Sequence, residues 1–255
     1  MRRIVNRWRR FTLARFARRE FRLPGNRAYV SFTFDDFPRS ALLEGGRILE
    51  THGVRGTYFV SFRCLGHDSA SGPLATVDDV AAAVHEGHEL GCHTFEHLDG
   101  TTVSAATFGR SIALNREALT ACRLGSSFDV FAYPYNGPAL AVKRVVGRHF
   151  AACRFGGQSF NEGVVDLNLL NAYFLDARSD GRMNELERAI DVNAARGGWL
   201  IIATHDVRDS PSEYGCDRQR FAAIVERAVS SGARVLPMAS VCRELGLLEA
   251  VGNAA

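Results

Sequence analysis

The sequence predicts an α/β fold built on a parallel sheet, and three observations carry that expectation. Strand-like and helix-like segments alternate from Tyr29 to Leu236, the pattern of repeated βα units whose crossovers leave neighbouring strands parallel. Three apolar segments end in polar clusters: Ser31-Phe32-Thr33-Phe34-Asp35-Asp36, the pentad His93-Thr94-Phe95-Glu96-His97 after Glu89–Cys92, and His205-Asp206 after Trp199–Thr204. In a parallel barrel the strand C-termini share one face, and reacting groups gather there. A chain of 255 residues, 46% of them hydrophobic, can bury one large core, and α/β barrels of this length are routinely one domain.

Each element has its own local signal. Leu23-Pro24-Gly25-Asn26 punctuates the chain after a basic segment. Tyr29–Phe34 reads as a strand, Gly45–His52 as the end of a helix stopped by Gly53, and Thr57–Ser61 as a strand. Arg63–Leu74, rich in Gly, Ser and Asp, reads as a surface loop. Thr76 caps the next helix, with Asp79 three residues on as a capping-box partner, and Gly87 ends it. Glu89–Cys92 is a short strand. Thr107–Arg123 is a helix with Ile112, Leu114, Ala118 and Leu119 as its apolar positions. Val130–Tyr133 and Ala151–Arg154 are strands around a helix at Leu140–Val146. Glu185–Arg196 is a helix ended by Gly197-Gly198, Trp199–Thr204 a strand, Arg218–Ser230 a helix, and Val235-Leu236 the last strand.

Composition excludes several classes. Unbroken apolar stretches run only a few residues, far short of the ~20 a membrane helix needs. The net charge is +3, but residues 1–22 hold nine Arg and one Glu, which leaves −5 for the remainder. That balance argues against a nucleic-acid-binding body. Arg outnumbers Lys thirty to one, with Lys143 the only lysine. In the basic segment Ile4, Trp8, Phe11 and Ala14 recur at helical spacing. The expectation is an amphipathic helix that lays Trp8 and Phe11 on the body with its Arg in water; contact with a membrane surface is the second reading. The segment lacks a continuous apolar core and a small-residue cleavage site, so it does not read as a secretory signal. The six cysteines form no C-x-x-C pair. They read as reduced thiols, which points to the cytoplasm.

The three clusters carry the chemistry. Asp35 and Asp36 are neighbours, so on an extended chain they point to opposite sides. One can bind a metal while the other faces a substrate only if the backbone turns, and Pro38 supports a turn. His93 and His97 can reach one cation. Two neutral imidazoles and a carboxylate suit Zn²⁺, with Co²⁺ or another divalent ion as alternatives, and leave a position for water. The pentad also fits the H-x-x-E-H of inverted zincin proteases, which places it in a long helix. Gly91 before it and Asp99-Gly100 after it leave such a helix little room. His205 at a strand end is a natural general acid. In Phe131-Ala132-Tyr133-Pro134-Tyr135, Pro134 removes a donor and the Tyr135 amide can serve as an oxyanion donor.

With these motifs the sequence resembles the polysaccharide deacetylase family, also called carbohydrate esterase family four, which includes the nodulation chitooligosaccharide deacetylases. The T-F-D-D motif stands as Thr33-Phe34-Asp35-Asp36, and H-[ST]-x-x-H as His93-Thr94-Phe95-Glu96-His97. The final His motif stands as Ile202 to His205 with one residue of slack. The resemblance covers roughly residues 28–245 and implies a distorted (β/α) barrel, often with seven strands. It implies Asp35 as catalytic base, Asp36, His93 and His97 as metal ligands, His205 as general acid, and Tyr135 as the oxyanion donor of the R-x-P-Y motif. Ala132 stands where that motif has Arg, whose family role is to orient the catalytic carboxylate; Arg154, at a later strand end, is the candidate substitute. Asp176-Ala177-Arg178-Ser179 matches the start of a further motif, D-x-R-S-x-D-W.

The expected organisation is therefore a basic N-terminal helix and linker over residues 1–24, a catalytic domain over 25–248 and a tail over 249–255. The expected activity is metal-dependent removal of N-acetyl or O-acetyl groups from a carbohydrate such as an N-acetylglucosamine oligomer. The alternatives are another metal-dependent amide hydrolase on the same scaffold, an inverted-zincin-type protease, and a non-catalytic carbohydrate-binding relative.

Overall fold

The structure, a computed structural model, describes residues 11–135, 137–179 and 183–248. Its strands, in chain order, are β1 (Glu20–Arg22), β2 (Tyr29–Phe34), β3 (Thr57–Val60), β4 (Asp68–Ser69), β5 (Gly72–Pro73), β6 (Glu89–Cys92), β7 (Val130–Ala132), β8 (Ala152–Arg154), β9 (Val164–Asp166), β10 (Tyr173–Phe174), β11 (Trp199–Thr204) and β12 (Arg234–Val235). Seven of these form one curled parallel sheet in the order β10-β11-β2-β3-β6-β7-β8. This is the distorted seven-stranded barrel anticipated from the motifs. Between its edge strands the described residues show a single parallel bridge, Arg154 to Leu170, in place of a full ladder. β12 adds to β2 beside Tyr29 and Val30, below the stretch of β2 that pairs with β3.

Both central strands, β2 and β11, are buried along all six residues. That is why β11 reads as a near-continuous apolar run, whereas β2 carries Ser31 and Thr33 between its apolar residues. Their alternate residues feed two cores. Val30, Phe32, Phe34, Leu200 and Ile202 pack with Phe221 and Ile224 of a covering helix. Tyr29, Trp199, Ile201 and Ala203 pack with Phe59 and Ala132. Polar residues on this second side are satisfied locally: Trp199 Nε1 donates to Ser31 Oγ at 3.0 Å, and Thr33 Oγ1 to the Ile202 carbonyl at 3.0 Å.

The helices are α1 (Arg47–Thr51), which continues a π-helical turn at Ala41–Gly46, α2 (Val77–His85), α3 (Ala105–Ala121), α4 (Leu140–Val146), α5 (Met183–Arg196), α6 (Arg218–Ser230) and α7 (Met238–Glu244). The Thr76–Asp79 capping box forms at α2 as expected. On α3, Ile112 and Leu119 are buried but Leu114 is exposed, and the polar Ser111 and Asn115 lie inward instead. No sequence signal anticipated α7. It sits across the N-terminal ends of β3 and β6, where Met238 N donates to Thr57 Oγ1 and Ala239 N to a Glu89 carboxylate oxygen. The floor of the barrel is thereby closed opposite the strand C-termini.

The basic N-terminal segment departs from an uninterrupted helix. Residues 11–15 are helical, but Glu20–Arg22 is a strand paired antiparallel with β9. Phe11 is exposed rather than laid on the body, and Leu13 is buried in its place. Ile4 and Trp8 lie outside the described residues, as does the tail 249–255.

Candidate metal centre and active site

The adjacent carboxylates face one site because the backbone turns between them. Asp36 and Phe37 take φ of +61° and +54°, left-handed values that cost a non-glycine residue of order 1 kcal/mol each. Pro38 follows, and Phe37 is pinned by full burial and a 4.6 Å ring contact with Tyr58. Asp35 N still donates to the Thr204 carbonyl at 2.9 Å, so Asp35 keeps the end of the β2–β11 ladder. Thr94, His97 and Tyr135 are left-handed as well. Backbone strain is thus concentrated where side chains from distant segments must converge.

The His93–His97 pentad is irregular rather than helical. An inward polar residue of α3 holds it in place: Ser111 Oγ accepts from Phe95 N at 2.9 Å. A second, Asn115, fixes the adjoining end of β3, spanning the Val60 carbonyl and Phe62 N at 2.8 and 3.0 Å. Ser111 Oγ in turn donates to the Glu96 carboxylate. The helix that an inverted zincin requires is absent here, and Glu96 is engaged by Ser111.

Asp36, His93 and His97 place one ligand atom each within 4.8 Å of one another. His93 Nδ1 donates to the Ala132 carbonyl at 2.8 Å. A carbonyl only accepts, so the neutral ring carries its proton on Nδ1 and presents a lone pair on Nε2. That lone pair faces Asp36 Oδ1 at 3.4 Å, and His97 Nε2 lies 3.0 Å from the same oxygen. Asp36 Oδ1 is buried with no hydrogen-bond donor among the described residues. The His93 lone pair, the His97 Nε2 and an orphaned carboxylate oxygen converge on one point and form a donor set that fits a divalent cation.

A second group of acidic and His side chains, Glu50, Glu86 and His88, is of a different kind. His88 Nδ1 accepts from Gly56 N, so its Nε2 carries the proton and donates to Glu50 at 3.1 Å. No imidazole lone pair is left there for a metal.

Asp35 is almost fully buried and ion-paired with Arg154, itself 1% exposed. Burial by itself raises the Asp35 pKa; the Arg154 guanidinium and the His93 and His205 imidazoles outweigh it and hold the carboxyl below its usual range. Arg154 is the in-register neighbour of Ala132 across β7 and β8. Its guanidinium is further held over the Phe59 ring, 5.0 Å from the centroid. His205 Nε2 stands 3.9 Å from Asp36 Oδ2. The Tyr135 ring lies 4.7 Å from that of His97.

Asp35, Asp36, His93, His97, His205 and Tyr135 all line one open cavity of about 430 Å³. Six further residues line it: Ser69, Ala70, Ser71, Phe174, Arg178 and Tyr214. Arg178 donates to Asp176 at 3.0 Å and stacks over Tyr214 at 4.7 Å. Tyr214 sits on the loop after His205 and carries no periodic or motif signal, so the sequence alone did not mark it. A second cavity of about 370 Å³, with Arg63, His67 and Glu96 in its lining, shares Asp36, His97 and Ser69 with the first.

The polysaccharide deacetylase family profile matches residues 22–149, half of the chain. A chitin deacetylase from Pestalotiopsis sp. is 30% identical over 122 residues, which is 47% of this chain and 39% of the relative; the chain thus matches about two fifths of that protein's length. A family 4 acetyl xylan esterase from Clostridium thermocellum superposes with a TM-score of 0.59 at 19% identity, over 86% of this chain and 92% of its own. A pseudoenzyme of the CE4 family from Bacillus anthracis superposes with a TM-score of 0.58 at 14% identity, over 87% of this chain and 68% of its own. These last two likenesses concern the fold alone. The profile match, which spans the acidic and histidine motifs, establishes that the chain belongs to the polysaccharide deacetylase family.

Proposed function

We propose that this protein is a metal-dependent deacetylase that releases acetate from N-acetylglucosamine oligomers. The observation that carries the reading is the convergence, in one cavity, of a half-buried three-residue donor set with a carboxylate and an imidazole free of it. The family's members use a divalent metal. Asp36, His93 and His97 are the residues that would hold it, and Zn²⁺ suits them best. A divalent ion supplies Lewis acidity toward the acetyl oxygen and lowers the pKa of water.

The chain's own residues divide the remaining work. Asp35, kept ionised by Arg154, takes the proton of the attacking water. The Tyr135 amide supports the oxyanion as the acetyl carbon becomes tetrahedral. His205 delivers a proton to the departing nitrogen as the C–N bond breaks. Acetate and the free amino sugar are the products. The same groups serve an O-acetyl ester, whose leaving oxygen needs the proton less. The chitin deacetylase relative supports an N-acetylated glycan, and the acetyl xylan esterase keeps the ester as the alternative. Six unpaired cysteines support placement in a reducing compartment, the cytoplasm.

The test is acetate release from N-acetylglucosamine oligomers and from acetylated xylan, with and without a chelator. Chelator-sensitive release from the amino sugar is the expected result. Release from xylan alone assigns the ester. No release from either, with metal bound, assigns a binding role.

A further inference from the structure

The N-terminal segment has a side the catalytic reading does not use. Its backbone is fixed from behind. Lys143 Nζ donates to the carbonyls of Leu13 and Phe16 at 2.5 and 3.0 Å and pairs with Asp166 at 2.6 Å. The Arg19 guanidinium donates to the carbonyls of Gly147, Phe150 and Ala151, and Asn168 to that of Ala17. Leu13 is the residue pressed into the body, at 2% exposure, while Phe11 and Phe16 stand 56% and 53% exposed. The two phenylalanines therefore project from an anchored base. Beside the segment lies an open cavity of about 370 Å³ with Leu13, Ala14, Arg18, Phe160, Glu162 and Asp166 in its lining.

The segment is basic: among its described arginines Arg15 and Arg22 are exposed, while Arg18 pairs with Glu20 at 3.0 Å and Arg19 is turned inward. Nine Arg and one Glu fall within residues 1–22, against −5 over the rest of the chain. Arg15 lies 5.8 Å from the centroid of the Phe11 ring. Arg alone fits any polyanion. Exposed Phe interleaved with Arg fits an anionic bilayer, whose boundary accepts the rings while its phosphates meet the guanidiniums. We propose that this segment docks the protein on an anionic lipid surface, with Phe11 and Phe16 entering the interface and the flanking arginines contacting the headgroups. This is independent of the deacetylase reading, because vesicle binding is measured without turnover.

The experiment is co-sedimentation of the full chain with vesicles of equal phosphatidylcholine and phosphatidylglycerol, against vesicles of phosphatidylcholine alone. Binding is expected to the anionic vesicles only, weakening with salt as screening shortens the reach of the charges. The variant F11S/F16S is expected to bind roughly tenfold or more weakly, with unchanged circular dichroism. Tryptophan emission gives a second reading: Trp199 is fully buried, so a blue shift on adding anionic vesicles reports Trp8, three residues before Phe11. If F11S/F16S melts early, the single variant F16S and the emission shift decide. Equal binding to both vesicles, no binding, or wild-type binding by a folded F11S/F16S overturns the proposal. Binding to single-stranded nucleic acid without binding to vesicles overturns it too, and assigns the patch to another polyanion.

Discussion

Arg154 stands beside Ala132 in the parallel β7–β8 register and reaches across the site to the carboxylate of Asp35. The family motif has its arginine at the position of Ala132. Here the small side chain occupies that place, and the guanidinium comes from the next strand at the same level of the sheet.

Arg154→Ala should slow acetate release within the roughly 10²–10⁴-fold that a general base supplies. It should also destabilise the fold by about 3–5 kcal/mol, because it leaves a buried carboxylate unpaired. The sign of the pH effect follows from the pair. Arg154 lowers the Asp35 pKa against the opposing effect of burial. Its loss raises that pKa, so the acidic limb of kcat/KM should move to higher pH. The double variant Ala132→Arg with Arg154→Ala should restore part of both activity and stability. A folded Arg154→Ala with an unmoved acidic limb refutes this role.

Metal binding and proton transfer should separate. The purified protein should carry about one divalent ion per chain, removable by chelation. His93→Ala should abolish it. Asp35→Asn should retain it, since Asp35 is turned to Arg154 and not to the His pair, while activity falls roughly 10²–10⁴-fold. Elemental analysis of both variants checks the division; metal loss in Asp35→Asn would exchange the roles of Asp35 and Asp36.

His205→Ala should show leaving-group selectivity. An amide nitrogen cannot depart without a proton, whereas an activated phenyl ester can. The variant should therefore lose most on the acetamido sugar and least on the ester, at unchanged metal content. Equal losses on both substrates reduce His205 to a structural role.

Deleting residues 1–22 should destabilise the protein although no motif residue lies there. Lys143 would lose two of its three oxygen partners, and β9 its pairing with β1. A burial that leaves a cation short of acceptors costs several kcal/mol. Thermal unfolding of the truncated chain should begin well below that of the full chain; coincident melts would show the segment to be dispensable.

Legibility followed burial and sequence distance. β2 and β11 kept their anticipated bounds because both are buried along their whole length and rich in large apolar residues, and β6 kept its own because it leads directly into the histidine pentad. β1, β9 and β10 are two or three residues long, too short for any period to show. Leu114 misled because α3 turns Ser111 inward to hold the histidine loop and Asn115 inward to hold the end of β3; helical spacing alone cannot reveal that a loop needs polar support. All six site residues named from motifs meet in one cavity. Tyr214 was invisible because only the three-dimensional return of the loop after β11 brings it there. The turn between Asp35 and Asp36 was foreseeable as a need, but its left-handed form was not.

The single lysine has a practical consequence. Lys143 is completely buried, so amine-directed reagents find no accessible lysine on this chain while it stays folded. Acylation of Lys143 itself requires the N-terminal strap to lift, and the rate of that acylation is a clock for the opening, read by mass spectrometry at a single residue.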